Sequence, residues 1–569
     1  MKNYVAFPPV KGISLSDILV LFIIFAFVSF IFFIGNEWKG DLNSVSPISL
    51  DYKNLPYYVV QSVSRIGIAY IFSLLFSIAY GYLTKKNKVT EVVLISLLDI
   101  LQSIPVLSFL PGVLFAMISL FPNKRIGVEL ASIILIFTGQ VWNMAFSYYN
   151  SICTIPRDIL EVGKIYKFSR FYRFIKIDLP YSAIGLVWNS MMSVAGGWFF
   201  LMACEMFVVK GKDFRLPGIG SYIQLAANEG NLEKVIVGLL VMVIIIVLLD
   251  IIVWRPLVVW SQKFKFDNVQ GEDEKESFIL NILRNSHILE SIWDAIESKI
   301  DKLNCYLIER KHFYKEQRLS KMSTIIVYAL FIVLLIILVK GCITAFKILS
   351  GLKISDIYLL LKAGLFSFLR TFTAIAIASL WTVPLGVLIG MKPKIAKVLQ
   401  PIIQIAASIP ATALFPIIIF FLLKLGGGLG FGSIFLMLLG TQWYILFNVI
   451  AGAYAIPQDL KDITELYKIR GFRKWRVLIL PGIFPYLVTG LITATGGAWN
   501  ASIVSEYVVF GGEVYKTMGL GSLISESSSN GNFSILLAST LLMSLIVVTL
   551  NRFFWKKMFL LAEEKFRIE

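Results

Sequence analysis

The amino-acid sequence predicts an all-α polytopic membrane protein with about twelve transmembrane helices, arranged as two parallel six-helix repeats. Three observations support this fold class: an apolar composition, apolar runs long enough to cross a bilayer, and an internal duplication. Of the 569 residues, 57% are hydrophobic and only 16% are charged. A water-soluble globular chain carries fewer apolar and more charged residues.

Apolar runs such as 18–34 and 235–253 are near the length that crosses a hydrocarbon core of about 30 Å. The first run follows Lys2 and Lys11, but no small-residue cleavage site follows it, so we expect a retained helix and not a signal peptide. The twelve helices are predicted at 17–35, 59–84, 93–120, 127–151, 181–206, 234–255, 323–340, 365–391, 395–424, 430–453, 482–507 and 534–556.

The formal net charge of +17 raises the question of nucleic-acid binding. With the N-terminus placed inside the cell, however, most of the 53 lysine and arginine residues fall in segments on that side. This is the distribution of a membrane protein. We therefore predict a multi-pass protein of the bacterial cytoplasmic (inner) membrane, with both termini cytoplasmic, in contact with lipid and not with nucleic acid.

The few cysteines and histidines give no sign of a metal site or a disulfide framework. The four cysteines form no CxxC pair, and the two histidines occur together only in a polar segment. No set of nucleophile, base and orienting residue stands out either. We therefore predict no catalytic residue, no metal site and no cofactor held by this chain.

An internal repeat divides the chain into two copies. Residues 155–158, Ile-Pro-Arg-Asp, recur at 456–459 as Ile-Pro-Gln-Asp, an offset of 301 that also pairs Glu205 with Glu506. Upstream the offset is 305, which pairs Arg65 with Arg370. The predicted units are a first repeat at 1–256 with its core at 60–256, a linker at 257–322, and a second repeat at 323–569 with its core at 365–560.

The linker is charged, and its apolar residues recur at helical spacing, as Leu289, Ile292, Ile296 and Leu303 illustrate. It is predicted to form an amphipathic cytoplasmic helix. Two interpretations stay open. The helix packs on the bilayer surface or on its own domain, or it binds a partner protein.

A polar loop after the fourth helix of each copy follows one pattern. An acidic residue opens it, Tyr-Lys follows, and a Leu-Pro pair closes it where the next span begins. The residues of the pattern are Glu161, Gly163, Tyr166, Lys167, Leu179 and Pro180 in the first copy, and Asp462, Thr464, Tyr467, Lys468, Leu480 and Pro481 in the second. Aromatic residues on a short helix can seat in a partner's groove. The alternative is a basic loop lying on lipid headgroups.

This pattern resembles the EAA loop of ABC importer permeases, and the resemblance covers about residues 60–260 and 365–560. It implies a type I importer permease fold whose loops dock two copies of a cytoplasmic ABC ATPase carrying ATP and Mg. It also implies an extracytoplasmic solute-binding protein that delivers the solute. The family's central glycine is replaced here by Lys167 and Lys468.

A narrower resemblance follows the fifth helix of each copy. Glu205 with the later Gly-Ile-Gly at 218–220, and Glu506 with Gly-Leu-Gly at 519–521, are similar to permeases of nitrate, sulfonate, taurine and bicarbonate importers. The resemblance implies a small, anionic solute.

The sequence lacks a GxxxxGK[ST] phosphate loop, so a separate protein must hydrolyse ATP. The rival hypothesis is a twelve-helix secondary transporter driven by an ion gradient.

Polar and ionisable side chains inside predicted spans are costly, which makes them candidates for lining the pathway. These candidates are Arg65, Arg370, Gln140, Trp142, Asn143, Gln442, Trp443, Glu205 and Glu506. The alternatives are that the arginines snorkel or pair locally, that the acids lie where the helix leaves the bilayer, and that the tryptophans pack. Arginines in an axial funnel would attract an anion. Pro105 and Pro410 are predicted to kink the third helix of each copy.

Overall fold

The structure, a computed structural model, describes residues 15–40, 48–85, 87–206, 208–209, 212–264, 278–311, 336, 339–424, 426 and 428–566. Helices of the first copy are α1 (Leu15–Trp38), α2 (Leu55–Thr84), α3 (Lys88–Ser103), α4 (Leu110–Leu120), α5 (Arg125–Cys153), α6 (Arg157–Ile165), α7 (Arg170–Arg173), α8 (Leu179–Glu205), α9 (Ile219–Asn228), α10 (Leu232–Leu249) and α11 (Arg255–Ser261). The linker carries α12 (Phe278–Arg284) and α13 (His287–Lys311).

The second copy repeats the same order of elements. Its helices are α14 (339–349), α15 (Ile354–Met391), α16 (Pro393–Ser408), α17 (Ala411–Lys424), α18 (Leu429–Ala455), α19 (Gln458–Leu466), α20 (Gly471–Lys474), α21 (Leu480–Ser505), α22 (Leu520–Asn530), α23 (Phe533–Leu550) and α24 (Lys556–Phe566). After the long helix α8 or α21, each copy has one antiparallel hairpin, formed by β1 (Val208–Val209) with β2 (Lys212–Asp213), and by β3 (Tyr507–Phe510) with β4 (Glu513–Lys516).

Eight helical segments of the described residues are long and apolar enough to cross a membrane, and the fold is all-α and polytopic as predicted. These segments are Tyr52–Thr84, Arg125–Cys153, Arg170–Glu205, Leu232–Phe264, Ile354–Met391, Leu429–Ala455, Gly471–Ser505 and Phe533–Ala562. They match eight of the twelve predicted helices. The predicted helix 17–35 corresponds to α1, and most of the predicted helix 323–340 lies outside the described residues.

The third predicted helix of each copy, 93–120 and 395–424, is interrupted at the proline where a kink was predicted. In the first copy the chain bends by 81° between the helical segments on either side of Pro105. Ile104 is extended, with φ −79° and ψ 125°, because a residue before proline is pushed out of the α region. Ile409 before Pro410 is extended in the same way, and it separates α16 from α17. Both prolines therefore lie at breaks between two helices.

Within each copy, the second, fourth and fifth predicted helices form the packed core: α2, α5 and α8 in the first copy, and α15, α18 and α21 in the second. Between copies, the contacts are reciprocal. The segment after the first break approaches α21 and α23, where Asn500 Oδ1 accepts a hydrogen bond from the Leu107 amide (3.4 Å) and Thr540 donates to the Ser108 carbonyl (3.2 Å). In return, α17 packs on α8, α9 and α10 of the first copy. Such reciprocity is expected of two copies around a pseudo-twofold axis.

Candidate functional site

The two loops predicted from the acidic-aromatic pattern adopt the same conformation. We call residues 157–180 the first loop and residues 458–481 the second loop. Each begins with a nine-residue helix, α6 or α19, that buries one small residue. A Cβ atom on Gly163 would already lie 3.0 Å from the Ile177 side chain, and Thr464 is buried at the matching position. The short helix therefore packs closely on the segment that leads into the next span.

The C-terminal end of each short helix presents an aromatic residue to the surroundings. Tyr166 is 70% exposed and Tyr467 is 73% exposed, and each follows an exposed aliphatic residue, Ile165 or Leu466. Large apolar side chains are costly to leave in water. Their placement at one tip in both copies is typical of a surface that a partner covers.

The bend after each short helix is present even though lysine replaces the family's glycine. Lys167 and Lys468 adopt left-handed backbone conformations, with φ 51° and φ 50°. The Phe168 amide donates to the Gly163 carbonyl (2.9 Å), and the Lys167 amide donates to the Lys164 carbonyl (3.0 Å). These two bonds form a Schellman motif, whose left-handed position is usually glycine. The loop geometry is thus retained at the expense of a conformation that lysine disfavours.

Each loop connects to a long helix without an intervening flexible segment. A π-helical turn, Phe174–Asp178 in the first copy and Trp475–Ile479 in the second, runs directly into α8 or α21. Pro180 and Pro481 lie directly after this turn, near the start of α8 and α21, and neither residue can donate a backbone hydrogen bond to the preceding helical turn. Leu179 and Leu480 are the first residues of the two helices. A displacement of either loop would therefore move the long helix with it.

Arg65 lies at the centre of a buried ion-pair cluster in the first copy. Its side chain is 0% exposed. The guanidinium donates to both carboxylate oxygens of Glu129 (2.5 and 2.8 Å), to Glu205 (2.7 Å) and to the Pro217 carbonyl (2.8 Å). A buried charge requires this degree of pairing. Arg65 therefore ties α2 to α5, α8 and the start of α9.

Arg125 extends this cluster to α1. It pairs with Glu129 (3.1 Å) on its own helix and with Glu37 (3.1 Å) on α1. Together with Arg65 and Glu205, the cluster contains two guanidinium groups and three carboxylates. It carries no excess positive charge, so it would not attract an anion.

The second copy contains a reduced version of the cluster. Arg370 pairs with Glu506 (3.2 Å) and donates to the Met518 carbonyl (2.6 Å) and to the Thr517 hydroxyl (2.8 Å). Glycine stands at position 430, the counterpart of Glu129 at the offset of 301. The threonine hydroxyl takes the place of the second carboxylate. For both arginines, this geometry favours local pairing over lining of the pathway.

In each copy, a buried glutamate binds the start of the helix that follows the hairpin, and nearby glycines allow the close approach. These are the glutamates and glycines of the narrower resemblance. Glu205 accepts hydrogen bonds from the Gly220 amide (2.7 Å) and the Ser62 hydroxyl (2.6 Å). A carboxylate is favoured at the start of a helix by the unpaired amides there. A side chain on Gly218 would collide with this carboxylate. Glu506 accepts from the Gly521 amide in the same way (2.9 Å). These acids therefore hold α9 and α22 and do not face an open pathway.

The remaining pathway candidates lie on α5 and α18 in different environments. Gln140 is fully buried, and neither atom of its amide has a hydrogen-bond partner among the described residues. It occupies space left by Gly197 on α8. Trp142 is half-buried and Asn143 is exposed.

Two further candidates lie on α18. Gln442 is buried. Trp443 contacts Trp381 of its own copy edge to face, with ring centroids 6.4 Å apart. Trp443 therefore packs within the second copy.

Tyr444, which the sequence argument overlooked, lies where the two copies meet. Its hydroxyl is 3.7 Å from where a Cβ atom on Gly196 of the first copy would lie. Its ring is 3.1 Å from the matching position on Gly497 of its own copy. Two glycines thus make room for one aromatic ring between α8 and α21. The offset of 301 pairs Tyr444 with the candidate Asn143, and this pairing would have identified it.

Comparison with known proteins identifies the chain. The family described as "Binding-protein-dependent transport system inner membrane component" matches twice, at residues 73–254 and 382–555. The chain belongs to this family. It is a two-copy ABC importer permease, a membrane component that is not an enzyme, and the ATPase of such a system is a separate subunit. The hypothesis of a secondary transporter driven by an ion gradient is excluded.

The curated relatives of the permease align with about one third of it at a time. It is 25% identical to the nitrate import permease protein NrtB of Synechocystis sp. over 35% of this chain and 70% of that protein. It is 26% identical to the bicarbonate transport system permease protein CmpB of Synechococcus elongatus over 34% of this chain and 68% of that protein. With the taurine transport system permease protein TauC of Escherichia coli it shares 26% identity over 32% of this chain and 64% of that protein.

Proposed function

We propose that the permease imports a small anionic solute, and that its two loops dock two copies of a cytoplasmic ABC ATPase on which ATP and Mg bind. An extracytoplasmic solute-binding protein delivers the solute to the other end of the bundle. The observation that carries the docking proposal is the pair of exposed tips at Tyr166 and Tyr467, built identically in two copies on a Schellman bend. A loop selected only for lying on lipid would not need this geometry twice.

The connection from loop to long helix supports a mechanism for coupling. When the two ATPase subunits close, each loop moves as a rigid unit because its short helix packs on the π-helical turn behind it. The turn passes the displacement to α8 and α21, whose glycine positions 196 and 497 meet around Tyr444. Separation of these helices opens the space between the copies, and their return closes it.

The proposed orientation places both loops and both termini in the cytoplasm of a bacterial cell. The accumulation of lysine and arginine in the loop-side segments supports it. The same orientation places the hairpins and the helices α9 and α22 on the outer face. A solute-binding protein would then dock near the starts of α9 and α22, which Glu205 and Glu506 hold.

The names of the relatives and the polar groups near the axis support an anionic solute. Nitrate and bicarbonate are small oxyanions, and taurine carries a sulfonate. Tyr444 and Asn500 offer neutral polar groups at the contact between copies. Neutral donors bind an anion weakly enough to release it, which a transport pathway requires. Arg65 and Arg370 are paired with carboxylates, so they stabilise the fold and do not attract the solute.

Replacing both tips tests the docking proposal. In Tyr166→Ala with Tyr467→Ala, we expect the ATPase recovered with the tagged permease to fall about tenfold or more, because exposed aromatic anchors dominate such contacts. Tyr454→Ala, which removes an exposed tyrosine outside both loops, is the matched control. Normal ATPase recovery and stimulation in the double variant would place the motor contact elsewhere.

Uptake of labelled nitrate, bicarbonate and taurine into proteoliposomes tests the solute class. The assay uses the permease with its co-purified ATPase and binding protein, with and without ATP. We expect ATP-dependent accumulation of at least one of these anionic or sulfonate solutes. Accumulation of a cation in their place would contradict the proposal while leaving the docking result intact.

A further inference from the structure

The linker helix α13 connects the first transmembrane helix to the first loop. At its start, Asp17 of α1 accepts hydrogen bonds from the Ser286 hydroxyl (2.8 Å) and the Ile288 amide (3.1 Å). Asp17 and Ser286 are both buried. The N-terminal end of α13 is therefore anchored to α1 by a carboxylate that caps it.

Further along α13, two polar residues contact the first loop. Asn304 Oδ1 accepts a hydrogen bond from the Ser169 amide (3.1 Å), and Glu297 forms an ion pair with Lys176. Asp301 lies between them on the same face of α13, on the side of Tyr172. Positions 297, 301 and 304 lie on one stripe of a helix. This stripe therefore matches the loop along two turns of α13.

The contact with α13 lies where α7 and the π-helical turn of the first loop follow each other. Ser169 caps α7, since its hydroxyl accepts a hydrogen bond from the Tyr172 amide (3.2 Å). Lys176 lies in the π-helical turn that leads into α8. Asn304 and Glu297 of α13 thus contact both parts that connect the exposed tip to the long helix.

The second loop lacks the groups that α13 binds. At the offset of 301, Arg470 replaces Ser169, Arg473 replaces Tyr172, and Val477 replaces Lys176. A valine cannot form the ion pair. The aromatic residue in this part of the loop also differs in exposure, because Phe171 is 42% exposed and Phe472 is 82% exposed.

We propose that α13 is a positioning element that holds the first loop in place for one ATPase subunit, so that the two docking sites of the permease are unlike. The proposal rests on the docking function of the loops. Through α13, a movement of the first loop is coupled to α1 as well as to α8. The second loop is coupled to α21 and lacks the side chains that pair with α13 in the first loop.

A charge exchange combined with site-specific crosslinking tests this proposal. A photoreactive amino acid is placed at position 166 or at position 467 of the full-length permease, and crosslinking to the co-purified ATPase is measured. We expect Glu297→Lys to lower the yield at position 166 about two- to fivefold, the range of an exposed ion pair, and to leave position 467 unchanged. Lys176→Glu added to Glu297→Lys should restore the yield.

The matched control is Glu290→Lys, the same change on a residue of α13 that pairs with His287 of the same helix (3.5 Å). It should leave both yields unchanged. Equal losses at both positions, or an unchanged yield at position 166 in Glu297→Lys, would overturn the positioning role while the docking function stands. If neither position crosslinks to the ATPase in the unsubstituted permease, the docking function itself is wrong, and the positioning role falls with it.

Discussion

Two arginines at equivalent positions illustrate how single residues acquire different roles in a duplicated chain. Arg65 binds two carboxylates, whereas Arg370 binds one carboxylate and the Thr517 hydroxyl, and its side chain remains 11% exposed. Removing one partner of a fully buried ion pair leaves an uncompensated charge. The first copy therefore depends on its arginine more strongly than the second copy does.

We expect Arg65→Gln to destabilise the permease by about 3–5 kcal/mol, because Glu129 and Glu205 lose their shared partner. Arg370→Gln should cost less, since only one carboxylate, Glu506, loses its charged partner, and the Arg370 side chain is already 11% exposed. Thermal unfolding of the detergent-purified protein measures both effects. A stable Arg65→Gln permease that loses transport of the anionic solute alone would instead support an anion funnel.

The sequence located these arginines but not their partners. An arginine inside an apolar run is visible from composition alone. Its partner Glu205 is 140 residues away, and nothing in the sequence indicates which of several acids will approach it. The left-handed bend at Lys167 was equally inaccessible, because lysine has no preference for that conformation and only the family pattern suggested it.

At the scale of elements, the helices α9 and α22 each rest on a buried glutamate through closely approaching glycines. The motif that suggested a family resemblance therefore has a physical basis. The amides at the start of the helix bind the carboxylate, and glycine permits the approach. Any side chain at Gly218 or Gly519 would occupy the position of the carboxylate.

We therefore expect Gly218→Ala to cost about 2 kcal/mol or more, because the Glu205 carboxylate must move and lose a charge-assisted hydrogen bond. Gly496→Ala is the matched control, since a Cβ atom at Gly496 meets no atom within 4 Å. Alanine there should be neutral or slightly stabilising in a helix. Thermal unfolding measures both variants. Comparable stability losses would show that the close approach of Gly218 to the Glu205 carboxylate is unimportant.

Most helices could be predicted from the sequence, and so could the positions of the two breaks, but not how far the chain bends there. Apolar length located α2, α5 and α8 to within a few residues, because a bilayer requires about 20 apolar residues per helix. A proline within such a run predicts a kink, but whether the helix ends depends on packing. Val106 and Leu107 after the break are buried, and that tertiary contact fixes the turn at Pro105.

At the scale of the whole molecule, the fused copies are similar in architecture and unlike in detail. The first copy carries the larger ion-pair cluster and the α13 contact, and the second copy supplies Tyr444 at the meeting point of α8 and α21. Two separate but identical subunits could not differ in this way. Fusion into one chain allows each copy to specialise while both keep the same loop for an ATPase.

Tyr444 provides the most direct test of where the pathway closes. Its ring fills the space between Gly196 and Gly497, so Tyr444→Ala should leave an opening between the long helices. We expect ATP-independent leak of labelled nitrate from proteoliposomes and ATP hydrolysis without net uptake. Tyr444→Phe keeps the ring, so these proteoliposomes should not leak nitrate. If the Tyr444 hydroxyl contacts the solute, the apparent affinity for nitrate should fall by up to about tenfold.

Trp443→Ala is the control, because Trp443 packs on Trp381 within the second copy. It should lower thermal stability without a leak. Since Tyr444→Ala removes a ring from the meeting point of the two copies and Trp443→Ala removes a larger one from inside a single copy, the contrast separates gating from packing. A Tyr444→Ala permease that does not leak nitrate and still couples ATP hydrolysis to uptake would mean that α8 and α21 close the pathway at another position along their length.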